Sequence, residues 1–202
     1  MANKVKAPVV DNPELLDRII GNIQNGLVDN LPWLDFAFGR AERLVKMNAN
    51  QKRYYTPNVY SGKNEYMEVC PDAGIGNFCF FWVDDPQNIS WEPGVDIGIK
   101  TAFSIIFWFD YRKIYNDAST RNKEDLKRQI LDVLNGGFLV RNGSYRINKV
   151  YELAENIYRG FSLDEIENQF LMHPFGGFRF EGELSIGAVS YTHLRAHETL
   201  SD

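Results

Sequence analysis

The sequence predicts an α+β fold: a mostly antiparallel or mixed sheet with aromatic core strands, packed by two or three amphipathic helices. Three observations carry that expectation. The run Ala102 to Tyr115, AFSIIFWFDYRKIY, is the most apolar stretch of the chain, and its β-branched and aromatic content reads as a buried central strand. A second aromatic run, NFCFFWV from Asn77 to Val83, precedes it with no good helix between, so a parallel crossover is disfavoured. Two segments, near residues 12–30 and 122–135, carry apolar residues at helical spacing on one side only.

Residues 1–11 have mixed polarity and Pro8 and read as a loose arm ahead of a single domain over 12–187. Asn12-Pro13-Glu14 is a helix-start pattern: a cap, a proline where a missing N–H costs nothing, and an acid facing the helix dipole. Leu15, Leu16, Ile19, Ile20, Ile23 and Leu27 form its apolar stripe. The stretch Trp33 to Met47 fits a helix or a hairpin. The hairpin is preferred because FGRAERLVKM and QKRYY flank the turn-forming Asn48-Ala49-Asn50.

Thr56 to Gly62 contains Pro57 and Gly62 and is expected to be irregular, and Tyr66 to Cys70 is a short strand stopped by Pro71. Asp84-Asp85-Pro86 stops the Asn77–Val83 strand, and a loop with Trp91, Pro93, Gly94 and Gly98 leads to the central run. Asn122 to Asn135 reads as a helix closed by Gly136-Gly137. Phe138 to Ile147 suggests a small hairpin about Asn142-Gly143, and Val150 to Tyr158 a helical segment. Ser162-Leu163-Asp164-Glu165 is a capping box for a short helix to about Leu171. FRFEGELSI, Phe178 to Ile186, alternates apolar and polar residues as a half-buried strand with one wet face.

The terminal AVSYTHLRAHETLSD, Ala188 to Asp202, resembles a translated sequencing-library adapter, so the natural frame is expected to continue differently past Gly187. His193 and His197, four apart, lie in that segment, which leaves His173 as the one other histidine. One Arg and two acids go with the segment, taking the formal charge from −5 to −4. That balance argues against a general phosphate-binding surface, and no specific nucleic-acid binding is expected. No apolar run reaches the roughly 20 residues of a membrane helix, so no membrane partner is expected and the chain reads as soluble and cytoplasmic.

Chemistry-bearing residues are sparse. Cys70 and Cys79 are too few for a disulfide framework and lack metal spacing. Cys70 as a nucleophile would need His173 as its base, and Asp84-Asp85 would need further ligands or a partner for acid–base work; the bland readings, a packed thiol and a turn, are preferred. Gly74-Ile75-Gly76 lacks the helix and Lys-Ser/Thr of a phosphate loop. The aromatics, among them Trp33, Trp82, Trp91 and Trp108, suit a core or a subunit interface. No catalytic, metal or cofactor-binding residue is assigned.

The helix start, YTPNVYSGKNEYMEVCPD, FSIIFWFDYRKIY, ENIYRGFSLDEIENQFLMHPFGGFRFEGELSI and the order helix, strands, helix, closing strand together resemble small tail-completion, tail-terminator-like proteins of phages and prophages of gut Bacteroidetes-type bacteria. The resemblance spans most of Pro13 to Ile186 and its motifs are structural. It implies a non-enzymatic protein that self-associates into a ring, typically of six copies, between the tail tube and the head connector. Its place would be the host cytoplasm during assembly and then the virion. Acidic residues lining such a ring would keep DNA from sticking. Candidate interface residues are Asp110, Arg112 and Lys113 at the charged end of the central strand, and Arg179, Glu181 and Glu183 on one face of the closing strand. The alternatives are a small cytoplasmic hydrolase using Cys70 or Asp84/Asp85, and a monomeric accessory binding protein of a mobile element.

Overall fold

A computed structural model describes residues 6–72, 74–90, 98–115, 122–136, 143–163 and 166–187. In chain order the elements are α1 (Leu15–Asn30), β1 (Phe36–Arg40), β2 (Glu42–Met47), β3 (Arg53–Gly62), β4 (Glu65–Glu68), β5 (Phe78–Val83), β6 (Asn88–Ser90), β7 (Gly98–Asp110), α2 (Tyr111–Ile114), α3 (Lys123–Asn135), β8 (Gly143–Tyr151), α4 (Ala154–Ile157), a 3-10 turn (Asn168–Leu171) and β9 (Phe175–Gly187). The fold is α+β, as the aromatic runs and amphipathic segments predict.

The main sheet runs β1-β5-β7-β9-β8, with β6 also on β7, and a second sheet runs β2-β3-β4. β7 is the central strand, antiparallel to β5 on one side and to β9 on the other, while β1 lies parallel to β5 and makes the sheet mixed. Its apolar residues are continuous because both faces are covered. Phe103, Ile105, Phe107 and Phe109 join the core under α1 and α3. Ile106 and Trp108 face a second core formed with Phe38, Val59, Val69, Phe78, Phe80, Ile157, Tyr158 and Phe175. The helices therefore cover one face, and the small sheet with the segment after β8 covers the other.

The helix stripe is buried at Leu16, Ile19, Ile20, Ile23 and Leu27, whereas Leu15 is exposed. α1 starts later than its sequence signal: Asn12 has φ 50, a left-handed conformation, and Glu14 holds the cap position instead. Arg18 secures this turn by pairing with Glu14 at 2.7 Å. α3 begins where its pattern predicts, with the Asn122 side chain accepting from the Asp125 N–H at 3.2 Å.

The hairpin over residues 42–62 is present: β2 pairs antiparallel with β3, and the Asn48 Oδ1 accepts from the N–H groups of Asn50 and Lys52 at the tip. Residues 36–40 form a separate strand ahead of it. Thr56 to Gly62 is not irregular but the body of β3. Pro57 is tolerated because the nitrogen and carbonyl of one strand residue point to the same side. Its carbonyl accepts from Val69 N–H at 3.0 Å, so its nitrogen faces away from β2 and the β2–β3 ladder loses no donor.

Further corrections concern the second half. Gly143–Tyr151 is one strand along β9, longer than the second arm expected over 143–147, and of Val150 to Tyr158 only Ala154–Ile157 is helical. Residues 137–142 and 91–97, which hold the rest of the expected hairpin and the Trp91 loop, lie outside the described residues, as do the arm residues 1–5 and the segment 188–202. Ser162 does not open an α-helix. Its hydroxyl accepts from Tyr55 N–H at 3.0 Å and its N–H donates to the Tyr55 carbonyl at 2.9 Å, tying this segment to β3, and among the described residues before β9 the helical element that follows is the 3-10 turn. Asp164 and Glu165 of that expected cap lie outside the described residues. The polar face expected for β9 is partly solvated at Glu181, Glu183 and Ser185 but covered at Arg179, which is 1% exposed.

Candidate functional site

The six candidate interface residues divide into two groups. Asp110 ends β7, where its register partner is Phe175, while Glu183 pairs with Ala102 eight residues back along the same strand, about 27 Å away at strand rise. Asp110 is buried, and its carboxylate takes the Arg112 backbone N–H at 3.0 Å and the guanidinium at 2.9 and 2.8 Å. Burial works to raise its pKa, but these bonds to Arg112 outweigh it and hold the carboxyl below the usual range. Arg112 also lies over the Phe175 ring at 5.1 Å, so the charged end of β7 closes on itself. Lys113 is exposed beside it.

Arg179 is internal. It donates to Glu181 at 2.8 Å and to the Arg159 carbonyl at 3.0 Å, and Arg159 pairs with the same Glu181 carboxylate. Burial lowers the guanidinium pKa against the opposing pull of Glu181. This cluster pins the chain after α4 onto β9. Glu183 is half-buried and pairs with Lys100 at 2.9 Å.

Beneath the end of β7 lies a cleft of ≈ 240 Å³, with Trp108, Phe170 and Phe175 at its floor and His173, Lys123 and Glu152 among its lining. His173 stacks on Tyr111 at 5.9 Å. Lys123 and Lys127 both pair with Glu152, at 3.2 and 2.7 Å, and these bonds, that of Lys127 first, hold the Glu152 carboxyl below its usual range despite burial. This ion-paired rim was not singled out in the sequence, since Glu152 and the two lysines are 25 or more residues apart and follow no motif.

Of the residues weighed for hydrolase chemistry, Cys70 and Asp84 make local contacts and Asp85 is exposed at the turn. The Cys70 thiol is pushed up to about 12, chiefly by burial and then by Glu68, and so stays protonated at neutral pH. Cys79 is fully buried in the helix-side core and raised further for the same reason. Asp84 accepts from the Trp82 indole at 2.8 Å, and its backbone carbonyl takes the Thr101 hydroxyl at 3.2 Å, the behaviour of a turn residue. Gly76, at φ 100, sits against Asp35, and the Asp35 carboxylate accepts from Asn77 N–H at 2.8 Å; the Gly-Ile-Gly segment is a structural turn. Among the described residues no group of three or more His, Cys, Asp or Glu is placed to hold a metal ion, and no helix is long and apolar enough to cross a membrane.

The feature left over is the small sheet. Every residue of β2 is exposed, including Leu44 at 47%, Val45 at 56% and Met47 at 61%. Tyr66 on β4, at the opposite edge, is 61% exposed. β2 and β4 each pair only with β3 among the described residues, so both present an unpaired edge. A signal for the exposure of β2, though not for its place at an edge, was present in sequence: it reads Glu-Arg-Leu-Val-Lys-Met, without the alternation of a strand that has one buried face. No protein-family model matches the chain, and no curated protein matches it in sequence.

Proposed function

We propose that the protein is a non-enzymatic structural component of phage tail assembly, a tail-terminator-like subunit that works by associating with copies of itself and with neighbouring tail and connector proteins. The observation that carries this reading is the small sheet, whose two free edges both carry exposed apolar side chains, Leu44, Val45 and Met47 on β2 and Tyr66 on β4. Monomeric proteins blunt such edges, and assembly proteins use them. The resemblance of the ordered segments to tail-completion proteins supplies the biological setting.

Support also comes from two of the reactive residues: the Cys70 thiol is held protonated, and Asp84 accepts from the Trp82 indole. The formal charge of −5 suits a ring through which DNA passes without adhering. Sequencing the source locus tests the reading. Tail-tube and head-connector genes on its flanks are the expected result, and a metabolic operon would refute it.

A further inference from the structure

We propose that the two free edges of the small sheet are the two halves of one head-to-tail interface, in which β2 of one copy adds to β4 of the next. The two strands carry matching four-residue patterns of opposite sign: Arg43-Leu44-Val45-Lys46 on β2 and Glu65-Tyr66-Met67-Glu68 on β4. In each, two charges about 10 Å apart bracket two apolar residues. Both strands run antiparallel to β3 and hence parallel to each other. A second copy displaced along the sheet, without turning over, therefore sets its β2 parallel to β4.

Side-chain parity then fits. β2 and β4 are joined through β3 by the pairs Leu44↔Thr56, Asn58↔Glu68 and Tyr60↔Tyr66, so Leu44, Lys46, Tyr66 and Glu68 share one face of the sheet, and Arg43, Val45, Glu65 and Met67 the other. Setting Arg43 beside Glu65, Leu44 beside Tyr66, Val45 beside Met67 and Lys46 beside Glu68 satisfies both ion pairs and both apolar pairs at once. The same contact between two β2 strands, or two β4 strands, in this parallel register would oppose like charges. Lys46 pairs with Glu68 across β3 within the chain, and Arg43 lies over the Tyr55 ring of β3 at 4.7 Å, so both cations turn outward from these contacts when the interchain pairs form. The interface is heterologous: it joins different patches of successive copies, and its rotation per step decides between a closed ring and an open filament. Only the closure into a ring rests on the tail-assembly reading.

The test is charge reversal on the full chain, followed by light scattering, with circular dichroism and thermal melting to establish that each variant folds. R43E/K46E leaves both edges acidic and E65K/E68K leaves both basic. Each alone is expected to weaken association at least about tenfold, toward the 23.3 kDa monomer, and an equimolar mixture is expected to recover it because each supplies the edge the other lacks. A ring that survives both reversals overturns this interface and leaves the tail reading standing. Open polymers abolished by either reversal and restored on mixing support the interface and count against the ring. A wild-type chain that stays monomeric to about 100 µM, or reversals that the mixture does not rescue, overturn the proposal.

Discussion

Asn77 is the residue through which the end of the sheet is joined. Its N–H donates to Asp35, its carbonyl takes the N–H groups of Asp35 and Phe36 at 2.9 and 3.1 Å, its amide donates to the Trp33 carbonyl at 2.9 Å, and its Oδ1 accepts from Asp110 N–H at 2.8 Å. Asn77→Ala strands two partners, the Trp33 carbonyl and the Asp110 N–H, and is expected to lower stability by about 2–3 kcal/mol in denaturant unfolding. Nothing in the sequence marks it, because its partners come from two distant segments, residues 33–36 and Asp110. The acid limb of stability belongs to this scale too. Asp110 and Glu152 both have folded-state pKa values below the unfolded ones, so the stability they add is complete above the unfolded value, near pH 4, and is lost as pH falls through the folded value. Asp110→Asn should therefore be less stable at pH 7 and lose less on acidification, as read by urea midpoints across pH. For Cys70, native alkylation at pH 8 should run at least about a hundredfold slower than in denaturant, since the buried thiol stays protonated; rapid alkylation of the folded chain would contradict that and revive it as a nucleophile.

Among the elements, β7 and β9 are the most legible in sequence and β8 the least. The continuous Phe, Ile and Trp of β7 states burial on both faces, and Phe107→Ala should cost about 3–5 kcal/mol. The wet face expected for β9 fails at Arg179 because sequence alternation cannot reveal that a second layer covers the polar side, nor that Glu181 and two backbone carbonyls satisfy the guanidinium there. β8 was hidden because Asn142-Gly143 is a strong turn signal and because its pairing is bulged between Ile147 and Lys149. Gly182 stands opposite that bulge, where a Cβ would come within 2.0 Å of the Arg146 carbonyl oxygen. Gly182→Ala should detach β8, exposing its amides to hydrogen exchange while those of β5 stay protected. The free edges of β2 and β4 were readable as strands but not as edges, since strand order is a property of the assembled sheet.

For the whole molecule, the layering explains how a compact core and an adhesive surface coexist. Two helices seal one face of the main sheet, and the other face is sealed partly by β3, whose central residues Thr56 to Val59 are buried. The same small sheet thus closes the second core with its middle strand and leaves its outer strands free. Association through those strands needs no refolding of the core, so the monomer and the assembly should differ little in backbone structure. The most direct measurement is native mass spectrometry of the wild-type chain over a range of concentrations. A single closed stoichiometry, six copies for a tail-terminator ring, is the expected result; a chain that remains a 23.3 kDa monomer throughout would contradict the assembly function proposed for it.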